Sequence, residues 1–93
     1  MTAKVIFTSK ARRALISIAV YIAQDDEAAA YRLVTELEKR VNEMLSLFPD
    51  AGARTQAGQR QFAVRRHMFV YRYDAAKQEV VVMNVFGPGM DWR

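Results

Sequence analysis

The hydrophobic periodicity of this chain changes once, and the change falls at a helix-stopping cluster, Pro49-Asp50-Ala51-Gly52. Upstream of it, apolar residues recur at helical spacing. The first set is Ala11, Ala14, Leu15, Ile18, Tyr21 and Ile22; the second is Leu33, Leu37, Val41, Met44, Leu45 and Phe48. Such spacing collects apolar side chains into one stripe along a helix. Downstream, residues alternate with the period of two that a strand requires. A helix-period pattern cannot bury its apolar set as a strand, nor the reverse. The chain must therefore fold as a helical part packed on a sheet.

The pattern predicts a short strand at Lys4-Val5-Ile6-Phe7-Thr8 and a helix over 10–24, with Thr8 or Ser9 as its cap. The polar break Asp25-Asp26-Glu27 supplies an N-cap and negative charge for a second helix over 27–48. Glu36 and Arg40 make a favourable pair one turn apart on that helix's outer face. Two amphipathic helices with so short a link form an antiparallel hairpin. After a polar loop over 53–59, strands are predicted at 61–64, 68–73 and 79–86, the last two joined by a hairpin-length loop over 74–78. The fold class is α+β: a strand, an antiparallel helical hairpin, then a three-stranded antiparallel meander, in one domain over 1–93. Leu15, Ile18, Leu37, Val41, Leu45, Tyr71 and Val82 are its predicted core.

Composition removes several chemistries. There is no cysteine and one histidine, His67, which excludes disulfides, thiolate chemistry and His-rich metal sites. No cofactor is expected. No apolar run approaches the ~20 residues of a membrane span, and the first residues lack a signal-peptide core, so a cytoplasmic protein is expected. Neither a G-x-S-x-G elbow nor a phosphate-cradling glycine loop is present. His67, next to Arg65 and Arg66 at a strand connection, reads as a turn residue rather than a general base.

Charge is unevenly placed. The net is +4, but residues 1–24 carry four bases and no acid, residues 25–50 are net −4, and residues 51–93 are net +4. A basic partner-facing surface in the C-terminal half would include Arg60, Arg65, Arg66 and Arg72. The strand over 79–86 is apolar on both sides, with Val80 and Val82 facing one way and Val81, Met83 and Val85 the other. One helical hairpin covers only one face of such a sheet, so the second face is expected to be partly exposed or covered by a partner.

Particular residues give this order of elements a family likeness. The first helix sets Ala11, Leu15, Ile18 and Tyr21 in the register A-x-x-D-L-x-x-I-x-x-Y, with Ala14 where the acid would stand. The second helix ends Leu45-x-x-Phe48-Pro49-x-x-Gly52; Arg60 opens the sheet, and the strands Val70-Tyr71-Arg72 and Val80 to Val85 follow. Over about residues 4–92 the chain resembles the RelE/ParE toxin superfamily of bacterial type II toxin–antitoxin modules. RelE-like members cut mRNA on the ribosome with basic side chains and a proton-transferring group. This chain has Met68, Gly87 and Met90 where charged residues would be expected, and no tyrosine in its tail. The resemblance therefore points to the ParE-like branch, whose members bind and block DNA gyrase and are neutralised by a cognate antitoxin. It implies an antitoxin surface at Arg65, Met68, Val70, Arg72 and Trp92, and target contacts at Arg60, Met90 and Arg93, with no catalytic or metal-binding residue. The alternative is a RelE-like ribosome-dependent mRNA interferase using Arg60, Arg65 or Arg72. A member that keeps only antitoxin binding is a third reading.

Overall fold

A computed structural model describes residues 2–55 and 57–88. The element order is β1 (Lys4–Phe7), α1 (Ser9–Ala23), α2 (Glu27–Leu47), β2 (Ala53–Arg54), β3 (Arg60–Val64), β4 (His67–Asp74) and β5 (Glu79–Phe86). Both helices begin as their caps dictate. The Thr8 hydroxyl accepts from the Ala11 amide at 3.1 Å, and an Asp26 carboxylate oxygen accepts from the Ala29 amide at 3.1 Å. Each satisfies a donor that the first turn leaves without a partner.

The five strands form one sheet in the order β1-β5-β4-β3-β2. β3, β4 and β5 are the expected antiparallel meander, and the other two strands enlarge it. β1 pairs parallel with β5, Val5 opposite Val80 and Phe7 opposite Val82. β2 forms inside the segment read as a polar loop, where Ala53 pairs with Gln61 and Arg54 with Arg60.

The hairpin of α1 and α2 lies on one face of the sheet. Leu15, Ile18, Leu37, Val41 and Leu45 meet Phe69, Tyr71, Val80, Val82 and Val85 there, all buried. All seven predicted core residues are among the buried ones. Fully burying one such leucine or phenylalanine contributes about 1.5–3 kcal/mol, so this face holds the helices to the sheet.

Three local expectations are corrected. Tyr21 and Phe48 fall in their predicted helical stripes yet are 75% and 55% exposed: the neighbouring Ile18 and Ile22 turn to the core in place of Tyr21, and Phe48 is the cap residue beyond the last turn of α2. Val85 lies on the helix-covered face with Val80 and Val82, not opposite them. The register opposes Val70 to Asn84 but Tyr71 to Val82, so one extra residue of β5 bulges at this point. A bulge inverts the alternation of everything beyond it. His67 is the first residue of β4, not a turn residue, and is buried.

Candidate functional site

The register distributes the candidate residues over separate surfaces. Met68 lies opposite Phe86, Val70 opposite Asn84 and Arg72 opposite Val81, and directly opposed residues share a face. This is the face away from the helices. Met68, Val81, Met83 and Phe86 are half-buried on it, Val70 is buried and Arg72 is exposed. Three of the five expected antitoxin residues therefore converge. Arg65 does not join them: it sits in the β3–β4 turn, and its guanidinium pairs with the Glu36 carboxylate on α2. Trp92 lies outside the described residues, as do Met90 and Arg93.

Arg60 is directed inward along the chain. Its guanidinium donates to the Asp50 carbonyl at 3.1 Å and to the Gly52 carbonyl at 2.8 Å. Beside it, the Tyr71 hydroxyl donates to the Pro49 carbonyl at 2.8 Å and accepts from the Gly52 amide at 2.9 Å. Together these bonds clip the segment after α2 to the middle of the sheet. Gly52 is required by space: a Cβ there would lie 2.8 Å from both the Gln61 carbonyl oxygen and the Tyr71 hydroxyl. Burial raises the Tyr71 pKa above the usual tyrosine value. The Gly52 amide and the Arg60 charge act against that, and Asp50 reinforces it.

The opposite end of β3 is built differently. Val64 pairs with His67, leaving Arg65 and Arg66 as a two-residue loop. Both have positive φ, 49° and 66°, the conformation that a type I′ turn demands and that Asn-Gly normally supplies. The neighbouring ring helps to hold this turn: His67 Nδ1 lies 2.8 Å from the Arg65 carbonyl. A carbonyl only accepts, so Nδ1 carries the proton and, in the neutral ring, Nε2 is an acceptor.

His67 also lines a pocket of about 470 Å³ between the second half of α1 and the ends of β4 and β5. Its other walls include Ser17, Ile18, Tyr21, Ile22 and Pro88. The large exposed apolar side chains are likewise on the hairpin, namely Ile16, Val20 and Tyr21 of α1 and Tyr31 and Leu47 of α2, with Phe48 just beyond it. Sequence reasoning missed this surface. Spacing alone assigned Tyr21 and Phe48 to the core, while Ile16, Val20 and Tyr31 fell between the stripes. A second apolar row on α1 was the available signal. Among the described residues no three His, Cys, Asp or Glu side chains cluster as a metal would need, and no helix is long and apolar enough to cross a membrane.

This fold, a two-helix hairpin on a five-stranded sheet, is similar to that of chains in solved toxin–antitoxin structures. The toxin–antitoxin complex RelBE2 from Mycobacterium tuberculosis contains a chain with a TM-score of 0.75 at 22% identity, covering 94% of this chain and 99% of that one. A chain in the chromosomal ParDE system of P. aeruginosa has a TM-score of 0.76 at 15% identity, covering 92% and 96%. One in the intact E. coli RelBE complex has a TM-score of 0.61 at 17% identity, covering 95% and 99%. These likenesses define the RelE/ParE toxin fold. The family model for the ParE toxin of the type II toxin–antitoxin system parDE matches residues 5–92, and the chain belongs to that family. A comparison with curated proteins returns no match.

Proposed function

We propose that this toxin acts by binding DNA gyrase and is held inactive by a cognate antitoxin laid over the sheet face that carries Met68, Val70 and Arg72. The observation that carries the first part is the dispersal of the arginines. Stabilising a transferring phosphoryl group needs cations converging on one point. Arg60 is bonded to two backbone carbonyls, Arg65 is paired with Glu36, and Arg72 is exposed on the open face, away from both. A binding toxin has no such requirement. Family membership supports the antitoxin partner, and the half-buried apolar strip beside Arg72 suits an acidic segment that orders on binding. Trp92 completes this antitoxin surface, and Met90 and Arg93 contact the target.

Two assays test the reading. The purified chain should inhibit gyrase supercoiling and leave mRNA on translating ribosomes intact. Codon-dependent cleavage with unaffected supercoiling would replace it with the RelE-like activity. For the antitoxin face, Arg72→Glu and Met68→Lys should each weaken antitoxin binding at least tenfold with unchanged thermal stability. Binding within twofold of wild type for both would move the antitoxin elsewhere.

A further inference from the structure

The outer side of α1 joins an apolar stripe to charge of opposite sign at its two ends. Ile16 and Val20, one turn apart, are 60% and 58% exposed. A shallow groove between α1 and α2, walled in part by Ile16, Ala19 and Val34, runs beside them. Arg13 shares their face by helical spacing, and Lys10 lies one turn before Arg13 and Ala14 at the start of the helix. Just past the other end come Asp25, Asp26 and Glu27, and all five charged residues are exposed. The one ion pair among the described residues joins Arg65 to Glu36, so these five are not paired with one another.

This arrangement selects a partner by sign. An acidic segment laid along α1 is attracted at one end and repelled at the other, and a basic segment meets the reverse. A second copy turned end to end meets opposite charge at both ends. The spacing gives that pairing a centre, because residue 18 is midway between Ile16 and Val20 and also midway between Lys10 and Asp26. A two-fold axis at this level, perpendicular to α1, lays Ile16 on the partner's Val20 and Lys10 towards the partner's Asp26, and repeats each contact by symmetry.

We infer that two copies of this chain associate through antiparallel α1 helices, with Ile16 and Val20 at the two-fold axis and the basic start of each helix against the acidic turn of its partner. The inference depends on neither the gyrase reading nor the antitoxin face, which lies on the opposite side of the sheet. One helix face buries less than the roughly 800 Å² per partner of a standard interface, so the dimer belongs in the micromolar range.

The test is the oligomeric state of the full chain, by sedimentation equilibrium from about 1 to about 500 µM. The mass should rise from 10.6 kDa towards twice that value. Val20→Glu, at an exposed position, should weaken the dimer at least tenfold with an unchanged melting temperature. Lys10→Glu and Asp25→Lys should each weaken it at least threefold, and the double variant should return to within twofold of wild type. Asp25 is the residue to change because the Asp26 carboxylate caps α2. The chain has no cysteine, so single spin labels can report the direction of pairing. Across the dimer, labels at Ser17→Cys should lie about 10 Å closer than labels at Gln24→Cys. A chain that stays monomeric to about 500 µM, or a dimer indifferent to Val20→Glu, overturns the inference. Equal label separations, or a double variant that does not recover, overturn the antiparallel pairing. A monomer in which Val20→Glu weakens antitoxin binding tenfold would overturn it too, by giving the stripe to the antitoxin.

Discussion

At one end of β3, Arg60 turns its guanidinium back onto the chain; at the other, Arg65 and Arg66 occupy a two-residue turn and point away from the core. The first end is a closed structure. Arg60 and Tyr71 together hold the carbonyls of Pro49, Asp50 and Gly52 and the Gly52 amide, and a glycine makes room for the tyrosine ring. The second end keeps two side chains in a backbone region that each enters at a cost of about 1 kcal/mol or more, although Asn-Gly would fit without strain. Residue type therefore does not separate arginines that hold the fold together from those left at its surface. What separates them is whether the backbone around the residue is satisfied by its side chain or strained by it.

Four substitutions sharpen or break this contrast. Gly52→Ala should have the largest effect, about 2–3 kcal/mol of destabilisation by urea unfolding, because its Cβ meets backbone on one side and the Tyr71 ring on the other. A loss below 0.5 kcal/mol would mean that the clip yields. Tyr71→Phe should cost about 1–3 kcal/mol by leaving the Gly52 amide without its acceptor.

The same tyrosine sets an alkaline limit. Its folded-state pKa is raised, so the unfolded chain loses the proton first as pH climbs. Its contribution is intact below about pH 10 and lost as pH rises towards the folded-state value. Thermal melts of wild type against Tyr71→Phe should converge over that range, and parallel curves would contradict the assignment.

At the other end, Arg66→Gly should stabilise the fold by about 0.5–1 kcal/mol, since glycine enters the left-handed region freely. Destabilisation would show that the turn is not strained. The smallest effect is expected from Glu36→Ala. The pair it breaks with Arg65 is exposed on both sides, so the change in unfolding free energy should stay under about 0.5 kcal/mol.

The local features of this fold were legible in the sequence, and the non-local ones were not. Both helices were recovered to within a residue or two, because caps at Thr8 and Asp26 and a stop at Pro49 act on adjacent residues. β5 was recovered at its bounds, 79–86. The parallel seat of β1 left no local sign, since its partner is more than seventy residues away. The bulge that carries Val85 to the helix side arises from pairing with β4, and alternation read from one strand cannot contain it. Among the site residues, the shared face of Met68, Val70 and Arg72 followed from alternation within one strand. The inward bonds of Arg60 did not, because they depend on how the segment after α2 returns across the sheet.

The parallel seam between β1 and β5 also orders events in time. Chain synthesis runs from β1 onward, so the first strand made must wait for the last before it has a neighbour. Until β5 emerges, α1 and α2 lack the valines at 80, 82 and 85 that complete their core. The hairpin can form early from local contacts, but loop closure over nearly the whole chain precedes the finished sheet. A nascent chain is therefore a helical hairpin with an open apolar side. The surfaces that a target or an antitoxin would recognise come into being together, in one late step, once the whole domain has left the ribosome.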